Sequence, residues 1–187
     1  MSTTDDYTRE AIHHRKVDMQ FYRRSDGLFE VEGRLTDTKT HPFTRQLGTS
    51  SLQPGEPVHD MVVRLVIDAE MHIHDVRVQM LSTPFPVCRG AQETLKSLIG
   101  LTIAKGWNKK VRDLLGGSQS CTHLMEMLGP MATTAYQGLA PQRIARVNKP
   151  ENAHLRTAKV DSCYAYSAER EIVAKLWPEL ARPRQNT

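Results

Sequence analysis

Phe29-Glu30-Val31-Glu32-Gly33-Arg34-Leu35 alternates apolar or small residues with charged ones. A period of two is that of a strand with one buried and one wet face. Upstream, Val17, Met19 and Phe21 alternate with Asp18, Gln20 and Tyr22. Ser25-Asp26-Gly27 lies between the two runs, and glycine accepts the positive φ that a tight turn needs. Residues 16–36 therefore read as a hairpin. Downstream, Met61–Ile67 and His72–Leu81 are apolar, β-branched runs joined by Asp68-Ala69-Glu70-Met71. Val76, Val78 and Met80 keep one phase, and Ile73 falls out of it, which predicts an irregularity near His74. Two hairpins predict an antiparallel sheet of about four strands. Residues 37–57 between them carry Pro42, Gly48, Pro54, Gly55 and Pro57 and read as a long loop.

Pro84 and Pro86 stop the last strand, and the period then changes to that of a helix. Ala91, Leu95, Leu98, Ile99, Thr102 and Ile103 share one face up to Gly106. Trp107 opens a short helix with Val111, Leu114 and Leu115 apolar, stopped by Gly116-Gly117. Ser118 or Ser120 can cap a third helix, whose buried face is Leu124, Met127, Leu128, Met131 and Ala135. Pro130 inside it predicts a kink or break. Residues 138–160 read as a polar surface excursion, 161–166 as a short extended segment and 169–177 as a last helix. The fold class is α+β, with helices packed on one face of the sheet. One domain is expected over 10–180, between a disordered lead 1–9 and a tail 181–187.

The chain has 187 residues, 39% of them hydrophobic and 25% charged, enough for a packed core. A net charge of +4 and a pI near 9.0 are mildly basic, but Lys and Arg are scattered rather than striped, which argues against nucleic acid. No run is apolar enough to span a membrane, and the N-terminus lacks an apolar signal core, so the expected compartment is the cytoplasm. Thiols there stay reduced, so three cysteines read as free, metal-bound or redox-active.

Cys121 and His123 are the first candidates, as nucleophile and base or as metal ligands. A helix start carries unpaired N–H groups and partial positive charge, which favour thiolate. His123 reaches the same side only if Cys121 sits at the cap. Cys88 follows two prolines and also stands at a predicted helix start, so the fold can bring both thiols to one point. Cys163 is a third thiol that can join them, and Asp60, beside His59, can complete a ligand set. Soft sulfur ligands favour zinc or an iron–sulfur cluster. His72 and His74 share a strand face that reads as solvated, as do Glu30 and Glu32, and His13-His14 reads as tail. There is no P-loop, dinucleotide fingerprint, nucleophile elbow or paired CxxC.

Two resemblances follow from quoted residues. Glu30-Val31-Glu32-Gly33-Arg34-Leu35-Thr36-Asp37-Thr38-Lys39, His59-Asp60-Met61, Gly106-Trp107, Ser120-Cys121-Thr122-His123-Leu124 and Asp161-Ser162-Cys163-Tyr164 resemble a bacterial family known only as a domain of unknown function. From Met61 to Gln137 the order of parts is similar to iron–sulfur cluster assembly scaffolds of the NifU type. That likeness implies their fold, with Cys88 matching the first scaffold cysteine and Cys121 the last. It also implies Cys163 and His123 as substitutes for the middle one.

Three functions stay open. The first is a metal-binding, scaffold-like protein using Cys88, Cys121 and His123 with Cys163 or Asp60. The second is a cysteine-dependent enzyme or sulfur carrier using Cys121. The third is an accessory protein whose protein partner docks on Met125, Met127, Met131 and the loop 37–57.

Overall fold

The computed structural model describes residues 7–47 and 51–183, so the expected lead 1–9, the loop 37–57 and the tail 181–187 each lie partly outside the described residues. Alternation does organise the sheet. β1 (His13–Arg23) and β2 (Phe29–Lys39) form the first hairpin, and β5 (Pro57–Ile67) and β6 (Ile73–Ser82) the second. Between them, β3 (Phe43–Thr44) and β4 (Ser51–Leu52) pair as a separate ribbon. The main sheet runs β1-β2-β5-β6, antiparallel throughout. The first hairpin is longer than the predicted 16–36, because alternation continues through Asp37 to Lys39. The slip in β6 is where the phase break puts it: Val66 faces Asp75 and Ile67 faces Ile73, leaving His74 as the extra residue.

The chain divides into two compact units, 1–138 and 139–187. In the first, Phe29, Val31 and Leu35 of β2 and Met61, Val63, Leu65 and Ile67 of β5 are buried. Helix α2 (Thr122–Gly138) packs over β1, β2 and β5. All five residues of its predicted inner face are buried, including Met127 and Met131, which fill core rather than offer a contact surface. The helix runs unbroken through Pro130. Gly33 lets it come close: a Cβ there would lie 2.9 Å from Met19 Sδ and 3.2 Å from Met131 Cγ. The other sheet face carries ion pairs, with Arg34 on Asp60 at 2.7 Å and Arg64 on Glu32.

The segment Pro86–Leu98 winds as successive 3-10 turns and stops at Leu98, short of the predicted Gly106. Thr94 Oγ1 donates to Ala91 O (2.8 Å) and Ser97 Oγ to Thr94 O (2.8 Å), so side chains compete for the carbonyls an α-helix would use. Beyond it, Gly100 adopts φ +83° and donates to Ile73 O, and Thr102 bridges to His72, so this stretch lies along the sheet. Helix α1 (Trp107–Leu115) follows, with Trp107, Val111 and Leu115 buried. Trp107 Nε1 donates to Leu128 O at 3.0 Å and ties α1 to α2.

In the second unit, α3 (Ala140–Val147) and α4 (Ala153–Lys159) are helical where sequence polarity suggests surface chain, and α5 (Glu171–Leu176) lies within the predicted last helix 169–177. Residues 161–166 form turns, not an extended segment, with Asp161 at φ +59°. No helix among the described residues is long and apolar enough to cross a membrane.

Candidate functional site

Cys121 immediately precedes α2. Its carbonyl accepts the first helical bond from Met125 N at 3.0 Å, so Cys121, not Ser118 or Ser120, occupies the cap position. From there its Sγ lies 3.7 Å from Nδ1 of His123, two residues on. Burial raises the thiol pKa, but the hydrogen bond from His123 and the backbone N–H groups of Leu124 and His123 outweigh it, and the net shift is downward. Ser120, the residue before, is held by Thr94 (Oγ to Oγ1, 2.6 Å), which fixes the approach to the cap.

The other nitrogen of His123 faces the sheet. Nε2 lies 3.8 Å from Oδ2 of Asp37, and the ring stands 4.0 Å, centroid to centroid, from that of His59. Asp37 comes from the end of β2 and His59 from the facing position of β5. The Asp37 side chain is only 2% exposed. Oδ1 accepts from Arg15 Nε (2.8 Å) and His13 Nε2 (3.2 Å), and Oδ2 from Arg15 Nη2 (2.8 Å) and His59 Nδ1 (3.0 Å). Burial works against ionisation of Asp37, but the Arg15 guanidinium more than offsets it, with His59 and His13 adding, and holds the pKa at about 2. An ionised carboxylate only accepts, so Nδ1 of His59 carries a proton and Nε2 is left as the free ring position. Burial and the neighbouring His123 hold His59 below the ordinary imidazole range, against the pull of Asp37.

A cavity of about 460 Å³ opens beside this cluster. Met61, Met80, Pro84, Phe85 and Ala91 give it apolar walls; Cys88, Cys121, His59 and His123 all line it. The fold thus brings Cys88, Cys121 and His123 to one cavity. Asp60 points to the opposite sheet face, where Arg34 takes both of its oxygens (2.9 and 2.7 Å). Cys163 is exposed and belongs to the second unit. Among the described residues, the group whose ligand atoms all lie within 4.8 Å of one another is Asp37, His59 and His123, not the cysteines.

The sequence alone gives Asp37, Arg15 and His13 no site role. The signal for Asp37 is present: it continues the series Phe29, Val31, Gly33, Leu35 at the next inward position, where a lone carboxylate needs a partner. His13 is not tail but the first residue of β1. His72 and His74 both reach Asp68 (3.1 and 2.9 Å) on the solvated face of the β5–β6 turn.

Residues 13–137 match the model of a protein family of unknown function, DUF2889. The chain belongs to this family. The DUF2889 span starts at the first residue of β1 and stops one residue short of the end of α2. It holds Arg15, Asp37, His59, Cys88, Cys121 and His123, and leaves out Cys163. No curated protein and no solved structure matches the chain.

Proposed function

We propose that this DUF2889 protein is a cysteine-dependent enzyme in which Cys121 is the nucleophile. The observation that carries this is the Cys121–His123 contact of 3.7 Å at the start of α2, open to an apolar cavity. His123 Nδ1 takes the thiol proton, and the resulting imidazolium and the first-turn N–H groups stabilise the thiolate. Behind it, Asp37 and His59 fix the imidazole: the carboxylate lies near Nε2 and the His59 ring stands against its face. The apolar walls suit an uncharged, apolar substrate that meets the Cys121 sulfur in the cavity.

The test is alkylation of the full chain with iodoacetamide across pH, the modified residue located by mass spectrometry. Expected is preferential reaction at Cys121 with a midpoint below that of an ordinary thiol; Cys121 reacting no faster than Cys163 in the folded protein sinks the reading.

A second reading is a metal site, favoured by the convergence of Asp37, His59 and His123 within 4.8 Å. A cation there would compete with the Arg15 guanidinium and His59, which already bond the Asp37 oxygens, and this makes the site a poor match for zinc or an iron–sulfur cluster. The scaffold-like likeness to NifU-type proteins supports this reading only through the order of its cysteines. One equivalent of zinc or iron in protein purified without oxygen, lost in His123→Ala, would establish it in place of the first.

A further inference from the structure

Covalent catalysis through Cys121 needs one thiol, yet the cavity has two. Cys88 lines it from the segment Pro86–Leu98 while Cys121 lines it from the start of α2, and both are partly buried, free thiols. The two sit on unlike supports. Cys121 is anchored by α2, whose inner face is fully buried. Cys88 rides on 3-10 turns, held by a bond from its N–H to Phe85 O at 3.1 Å. The buried residues of that segment, Leu95 and Leu98, lie at its far end, and Val87 beside Cys88 is 83% exposed. Turns of this kind, with few buried side chains, open locally at low cost. The arrangement puts a firmly anchored thiol and a lightly anchored one on the walls of the same cavity.

We infer that Cys88 is the resolving partner of Cys121, and that the electrophile met by Cys121 is an organic hydroperoxide whose apolar part occupies the cavity. This rests on Cys121 being the nucleophile. The Cys121 thiolate attacks the terminal peroxide oxygen, the O–O bond breaks, and the alkoxide leaves as an alcohol with the proton held on His123. Cys121 is now a sulfenic acid. The Cys88 thiol attacks the Cys121 sulfur, an S–S bond forms, and the hydroxyl leaves as water. Two electrons have passed from the thiols to the peroxide, and an external dithiol restores both thiols while being oxidised to its own disulfide. Met61, Met80, Pro84 and Phe85 supply the apolar wall that favours an alkyl or aryl peroxide over hydrogen peroxide.

The experiment uses the full chain carrying Cys163→Ser, which removes the exposed thiol. Cumene hydroperoxide is added, thiols are titrated, and peptides are mapped without reduction. Expected is loss of both thiols, a Cys88–Cys121 linked peptide, recovery with dithiothreitol, and slower loss with hydrogen peroxide. In Cys88→Ser, and in Cys88→Ala as a second variant, dimedone should trap a sulfenic acid at Cys121 with no link. Oxidised Cys121 beside an intact Cys88 thiol overturns the role of Cys88 and leaves the nucleophile standing. Fast alkylation of Cys121 without oxidation by either peroxide overturns the substrate class. Slow alkylation and no oxidation remove the nucleophile itself, and both readings with it.

Discussion

Arg15 grips Asp37 with two parallel hydrogen bonds, Nε to Oδ1 and Nη2 to Oδ2, both 2.8 Å long. The pair joins edge strand β1 to the buried end of β2. Because the folded pKa of Asp37 is depressed to about 2, its ionisation stabilises the fold above the unfolded value near 4 and ceases to do so as pH falls toward 2. Asp37→Asn should cost about 2 kcal/mol at pH 7, and the gap from wild type should close on acidification. Urea unfolding midpoints at pH 7 and pH 3 measure both; a gap that is equal at the two values would contradict the assignment.

Against the burial that raises the Cys121 pKa, the hydrogen bond from the His123 side chain is the largest influence lowering it, followed by the backbone N–H groups of Leu124 and His123 and the His123 charge. His123→Gln should therefore move the alkylation midpoint of Cys121 upward and cut its rate at neutral pH several-fold, with little effect on Cys88. An unchanged profile would mean that the helix start alone sets the thiol.

A Cβ on Gly33 would press on two methionines, Met19 Sδ at 2.9 Å and Met131 Cγ at 3.2 Å. Gly33→Ala should destabilise by about 1–3 kcal/mol through overpacking. Shortening the opposing residue should return part of that loss, so Gly33→Ala with Met131→Ala should be less destabilised than the sum of the single variants. Additive losses in thermal or urea unfolding would show that the contact is not what Gly33 provides.

Trp107 donates its indole N–H to the Leu128 carbonyl in a buried bond of 3.0 Å. Trp107→Phe keeps an aromatic ring but deletes the donor and part of the buried bulk, and should cost about 1–3 kcal/mol from the lost bond and the lost volume. Denaturant titration followed by circular dichroism gives the value; no loss would mean that the bond to Leu128 adds nothing to stability.

Where a single physical preference acted, the elements were legible in the sequence. The alternation of Phe29 to Leu35 and the stripe from Leu124 to Ala135 each bury as read. Where two preferences competed, reading failed. Ala91 to Ile103 has helical spacing, but Thr94 and Ser97 divert carbonyls and Gly100 turns the chain onto the sheet. Cys88, Cys121 and His123 were legible because prolines and glycines mark helix starts. Asp37 was not, because its meaning depends on Arg15 and His13, which are 22 and 24 residues away. Asp60 shows the converse: adjacent to His59 in sequence, it leaves the strand on the other side.

The cap position of Cys121 has a consequence for biosynthesis. Its imidazole neighbour, the facing carboxylate and the second thiol come from separate elements, so a ribosome-bound chain with only the two hairpins emerged carries Asp37 and His59 but no cysteine. The contacts that lower the Cys121 pKa, from His123 and the backbone of His123 and Leu124, are complete only once the start of α2 has formed. The change in the rate at which Cys121 takes up a fluorescent thiol reagent then reports when that helix start forms.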